Sequence, residues 1–89
     1  MVTLKTKLRR LLQEAFPGAS VELDKNGHKS SIQGILLWEG FEGMDMMDRH
    51  RRLGDCVRRL APTERPQIGM ISTLTPHEQM VMREEYAHV

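Results

Sequence analysis

Gly40-Phe41-Glu42-Gly43-Met44-Asp45-Met46-Met47-Asp48-Arg49-His50-Arg51-Arg52-Leu53 places a turn, a helix start and a charged helix face in one short segment. Two glycines bound the turn and leave Phe41 as its one apolar side chain, which reads as a core anchor. From Met44 or Asp45 onward the spacing predicts a helix to Leu60. Its apolar stripe is Met46, Leu53, Val57 and Leu60, with Met47 and Cys56 at the margins. Asp45 and Asp48 suit the positive end of the helix dipole, and Arg58 and Arg59 the negative end. The pairs Asp48–Arg52 and Asp55–Arg59 add about 0.3 kcal/mol each. Gly54 lowers helix propensity and is the point at which this helix could divide. His50 falls between Met46, Leu53 and Val57, and reads as a buried, hydrogen-bonded core histidine. No carboxylate stands three or four residues from it to make it a proton-transfer group.

Upstream, Leu4, Leu8, Leu11, Leu12 and Ala15 recur at helical spacing behind Thr3 as N-cap, and Pro17-Gly18 ends that helix. Val21 and Leu23 alternate with Ser20, Glu22 and Asp24, the pattern of a half-buried strand. Asn26-Gly27 follows. Asn-Gly tolerates positive φ at both centres of a tight hairpin turn, so the chain is expected to return as a strand over His28 to Trp38. Downstream, Pro62 and Pro66 bracket a loop, and Ile68–Leu74 alternates as a third strand. Thr75-Pro76-His77-Glu78 is a capping box with Pro at the first helical position, and it opens a last helix that runs to Tyr86.

The chain's 89 residues give one domain, residues 1–89. No apolar run approaches the roughly 20 residues that span a bilayer, so no membrane partner is expected, and a cytoplasmic location is. The single cysteine, Cys56, excludes an internal disulfide and an all-cysteine zinc site. It reads as packing. Net charge is +1, yet the charge is polarised. Six arginines against two acids lie between Arg49 and Arg65, while one arginine against three acids follows from His77 onward.

Arg49, Arg51, Arg52, Arg58 and Arg59 turn away from the apolar stripe, and two readings of them stand side by side. One is a solvated helix face neutralised by Asp45, Asp48 and Asp55. The other is a surface for phosphate or an acidic partner, since guanidinium forks recognise both groups bidentately. No aromatic is interleaved for base stacking. Gly40-Phe41-Glu42-Gly43 also spells the G-x-x-G of RNA-binding loops, but it follows a strand and carries an acid, so a structural turn is the better account. No nucleophile–base pair, phosphate-binding loop or paired carboxylates occur, and the chain is not expected to be an enzyme.

Phe41-Glu42-Gly43, followed by Arg49-His50-Arg51 and Leu53, resembles the signature of BolA-like proteins. Phe16-Pro17-Gly18-Ala19 before the first strand and Leu74-Thr75-Pro76 after the third fit the same pattern. The resemblance implies an α+β fold like the type II KH domain, a three-stranded sheet with helices packed on one face in the order αββααβα. It also implies an adaptor that binds a monothiol glutaredoxin, with a shared [2Fe-2S] cluster used in iron–sulfur trafficking. Arg49, Arg51 and Arg52 would then contact the partner or its glutathione. The alternative it implies is a transcriptional regulator whose arginines meet DNA or RNA. Cluster-binding members carry a His or Cys in a long loop between the first two strands and a His at the start of the third. Here His28 is the only ligand candidate in the first place, on what reads as a tight hairpin, and Gln67 stands in the second. The chain alone is expected to bind no cofactor and to be a monomer or weak dimer.

Overall fold

The computed structural model describes residues 2–25 and 31–87. Helix α1 covers Leu4–Ala15, strands β1 and β2 cover Ser20–Lys25 and Ile32–Leu37, and helix α2 covers Met46–Val57. Strand β3 is Ile68–Leu74 and helix α3 is Pro76–Ala87. Single 3-10 turns at Glu39–Phe41 and Arg65–Gln67 precede α2 and β3. The second of these stands where the αββααβα order has its extra middle helix. Gly54 does not break α2, which runs unbroken through it to Val57.

The helix starts follow the sequence. Thr3 caps α1, its hydroxyl accepting the Thr6 N–H, and Asp45 caps α2 by accepting the Asp48 N–H at 2.8 Å. The chain leaves α1 through Gly18 at φ +83°, and leaves the first 3-10 turn through Gly43 at φ +75°. In that left-handed region a side chain is strained. Gly40 is needed for a different reason: a Cβ there would press into the Trp38 indole.

The sheet order is β1-β2-β3, with β1 antiparallel and β3 parallel to β2. Leu23 pairs with Gly34 and Val21 with Leu36, while Gly34 faces Ile71 and Leu36 faces Thr73. These residues form the covered face of the sheet. Leu8, Leu12 and Phe16 from the first helix, with Leu53, Cys56 and Leu60 from the second and its exit, complete one core with Leu23, Ile32, Leu36, Phe41 and Ile71. The opposite face carries Glu22, Asp24, Gln33 and Met70 with half-buried Ile35, Leu37 and Leu74. Among the described residues, no helix is long and apolar enough to cross a membrane.

Two sequence expectations change. The return strand begins at Ile32 rather than His28, and Lys25 lies opposite Ile32. A two-residue turn at Asn26-Gly27 would have paired Lys25 with His28, which is not the register that the described strands adopt. Asn26, Gly27 and His28 themselves lie outside the described residues. Helix α2 is also rotated by about one position from the expected stripe. Arg49, Leu53 and Cys56 point inward, while Met46 and Met47 are exposed and so is His50.

Gly34 marks the tightest point of the sheet. A Cβ at this position would run into the Glu22 carbonyl oxygen and Leu23 Cδ2 across the β1–β2 pair. Gly34→Ala is therefore expected to cost about 2 kcal/mol, read as a lower midpoint in urea unfolding with an unchanged slope.

Candidate functional site

Arg49 was expected on the exposed arginine face, and the structure buries it instead, at 5% exposure. Its Nε donates to the Met44 carbonyl at 2.9 Å, and its Nη2 to the Phe41 carbonyl at 3.0 Å. Its Nη1 reaches both the Thr73 carbonyl at 3.2 Å and Glu78 Oε1 at 2.7 Å. The guanidinium carbon lies 5.5 Å from the centre of the Phe41 ring. This position offers three backbone acceptors in different directions, which a planar fork with five N–H donors can satisfy and an imidazole cannot. That is the physical reason why α2 turns Arg49 inward and His50 outward.

Glu78 is the other half of the clamp. Its Oε1 accepts the Thr75 N–H at 2.7 Å, and its own N–H donates to Thr75 Oγ1 at 3.1 Å, completing the reciprocal capping box of α3. The Arg49 hydrogen bond foremost, then the Thr75 N–H, hold its carboxyl below the usual carboxylate value. Arg49 thus fastens three segments far apart in sequence: the turn at 41–44, the end of β3 and the start of α3.

The remaining arginines separate into distinct roles. Arg65 closes α2, donating to the Leu60 and Arg58 carbonyls at 3.1 and 2.6 Å. Arg51 and Arg58 form one exposed row and pair with Asp48 at 3.7 Å and Asp55 at 2.8 Å. These i,i+3 pairs replace the expected Asp48–Arg52 and Asp55–Arg59. Arg52 and Arg59 form a second row. The Arg52 guanidinium stacks 5.1 Å from the Trp38 ring and 5.7 Å from Phe16. Beneath it, Phe16, Trp38 and Phe41 meet with centroids 5.2–5.4 Å apart, and Trp38 Nε1–H donates to the Pro17 carbonyl at 2.9 Å. Arg52 and Arg59 border a groove of about 220 Å³ with Ala15, Phe16, Asp55 and Cys56. Cys56 is buried, and that burial pushes its thiol up in spite of Arg59. It is a packing residue, as its sequence context suggested.

The opposite end of the sheet, where β1 ends and β2 and β3 begin, holds a different constellation. Thr3, Leu4, Lys5, Lys25, Ile32 and Gln67 line a recess of about 210 Å³. Residues 26–31, which carry His28, enter and leave this end, because Lys25 and Ile32 bracket them. Gln67 is exposed, and its amide donates to the Thr63 carbonyl at 3.4 Å. The run from Ile32 to Trp38 is roughly 20 Å of strand. It therefore separates this recess from the Arg52–Trp38 stack; His28 lies outside the described residues. Sequence reading missed the lysines of this recess, because Lys5 and Lys25 are brought together only by the packing of α1 beside β1. Among the described residues, no group of three or more His, Cys, Asp or Glu side chains could hold a metal ion.

Comparison with solved structures places this architecture. BolA1 from Arabidopsis thaliana superimposes with a TM-score of 0.72 at 20% identity, covering 88% of this chain and 98% of that one. A BolA protein homologue from Coxiella burnetii gives 0.59 at 24% identity, over 90% and 99% of the two chains. A Bol-like protein from Babesia bovis gives 0.59 at 23%, over 93% and 95%. No protein-family model and no curated protein sequence matches this chain. The fold is BolA-like.

Two outcomes follow from the clamp. Arg49→Ala strands three carbonyls and a carboxylate, and is expected to cost about 3 kcal/mol. Arg49→Lys recovers less than half of it, both read by denaturant unfolding. Because Glu78 titrates lower when folded, its contribution is fully present above the ordinary carboxylate value of 4.5 and is lost as pH falls through the depressed folded value. A stability–pH profile should therefore flatten on its acid side in Glu78→Gln.

Proposed function

We propose that this chain is a BolA-like adaptor that binds a monothiol glutaredoxin and shares a [2Fe-2S] cluster with it as cargo, acting as a binding protein rather than a catalyst. The observation that carries the reading is the strand register. Lys25 opposite Ile32 leaves six residues of sequence between the paired positions, His28 among them, in the part of the fold where cluster-binding BolA-like proteins carry a His or Cys.

The chain's own residues do not fit a complete cluster site. Gln67 occupies the place of the second expected ligand, and a carboxamide does not replace an imidazole toward iron. Among the described residues no metal-ligating cluster forms. The proposal is therefore a half-site: His28 supplies one ligand, and the other protein supplies the thiolates. Lys5 and Lys25, at the same end of the sheet, would meet the carboxylates of the partner's glutathione. They take the role that sequence alone gave to Arg49, Arg51 and Arg52. Arg49 is consumed by the clamp, and Arg52 stacks on Trp38 at the far end.

Anaerobic reconstitution of the mixed proteins with iron and sulfide, followed by visible absorption and circular dichroism, tests this. The expected result is a spectrum distinct from that of the glutaredoxin homodimer, lost in His28→Ala and weakened in Lys25→Glu. A homodimer spectrum with no co-eluting complex would sink the adaptor reading.

A further inference from the structure

We propose that the chain docks a cationic peptide segment in an acidic, partly apolar groove at the end of the molecule where β2 ends and α3 begins. Two adjoining hollows make this groove. One, of about 410 Å³, has Pro17, Leu37, Trp38 and Gly40 among its walls. The other, of about 600 Å³, has Glu42, His77 and Met80. Glu39 and Pro76 line both, which joins them.

The apolar half is built on the chain's one tryptophan. Trp38 is half-buried. Its ring is held by Phe16 and Phe41, each with centroids 5.2 Å away, and by the hydrogen bond from its Nε1–H to the Pro17 carbonyl. Gly40 lies against the same indole, close enough that a Cβ would press into it. The ring is thus in place before a ligand arrives, which lowers the ordering cost of binding. A fixed aromatic bordered by Pro17, Leu37 and Pro76 offers an apolar side chain a ready seat. Met80 adds an adaptable wall at the other end.

Charge sets the chemistry of the occupant. Glu39 and Glu42 are exposed, and neither forms an ion pair among the described residues. No described lysine or arginine lines either hollow, and His77 is the one lining side chain able to carry positive charge. The arginines nearby are committed elsewhere. Arg49 is buried against Glu78, and Arg52, over Trp38, borders the separate groove beside Ala15 and Cys56. An acidic segment, or a nucleic-acid phosphate, would meet two uncompensated carboxylates here. A segment with Lys or Arg next to an apolar residue satisfies both halves: the cation between Glu39 and Glu42, the apolar neighbour on Trp38. The groove takes in Ser20 and Leu37, whereas the lysine recess takes in Lys25 and Ile32. The two therefore lie at opposite ends of the β1–β2 pair, and the proposal is independent of the glutaredoxin reading.

Because Trp38 is the one tryptophan, its emission reports occupancy of the groove in the full chain. The probes are a short peptide of alternating lysine and leucine, the same peptide with glutamate for lysine, and spermine. The expected result is a saturable change in emission with the lysine peptide and none with the glutamate peptide. Glu39→Gln with Glu42→Gln should weaken binding by about fivefold, with far-ultraviolet circular dichroism checking the fold. Should that double variant unfold, Met80→Lys carries the test, since its ammonium would occupy the acidic half and compete with the peptide. No saturable change, equal response to both peptides, or a response unaltered in the variants overturns the proposal. So does a response to spermine as strong as that to the lysine peptide, which would leave only a patch of carboxylates attracting any cation.

Discussion

One guanidinium holds the architecture in register. Arg49 projects from the first turns of α2 into a space where the 41–44 turn presents two backbone carbonyls, the end of β3 presents one and the start of α3 presents the Glu78 carboxylate. Those carbonyls would otherwise be buried without donors, and the cost of an unmade hydrogen bond exceeds the gain of a made one. Glu78 neutralises the buried charge while also capping α3, so one ion pair fixes the direction in which the last helix leaves the sheet. The aromatic trio of Phe16, Trp38 and Phe41 fills the space beside it, with Arg49 and Arg52 stacked on its rings.

The elements were legible because each announces itself locally. Thr3, Asp45 and the Thr75–Glu78 box cap the helices as their spacing predicts, and the alternation in 68–74 yields β3. The rotation of α2 was not legible. An apolar-stripe reading has no way to prefer Arg49 over His50 for the interior, because the attraction is to carbonyls contributed by residues 5, 8 and 24 positions away. The start of β2 was misplaced for a related reason. Asn-Gly is a strong turn signal, but the hydrophobic register of Leu23 against Gly34 and Val21 against Leu36 outweighs it.

The arginine-rich helix illustrates how charge counting overlooks what each side chain touches. Of the six arginines between positions 49 and 65, two serve backbone carbonyls, two pair with aspartates one turn away and one stacks on an indole. What reads as a continuous basic strip becomes a set of structural and locally neutralised contacts. The less conspicuous lysines, Lys5 and Lys25, share the end of the sheet to which the β1–β2 connection is attached. The lysines thus lie at one end of the sheet, while the clamp occupies the other.

The parallel pairing of β3 with β2 also has a kinetic consequence. Strands β1 and β2 can meet through a connection of a few residues, but β3 must wait for the whole 38–67 segment to close behind it. Arg49 can bond the Phe41 and Met44 carbonyls early, within a short local loop, whereas its contacts with Thr73 and Glu78 exist only after that closure. The clamp is therefore assembled in two instalments. Its local half helps to decide how fast the chain folds, and its distant half governs how slowly the native state comes apart.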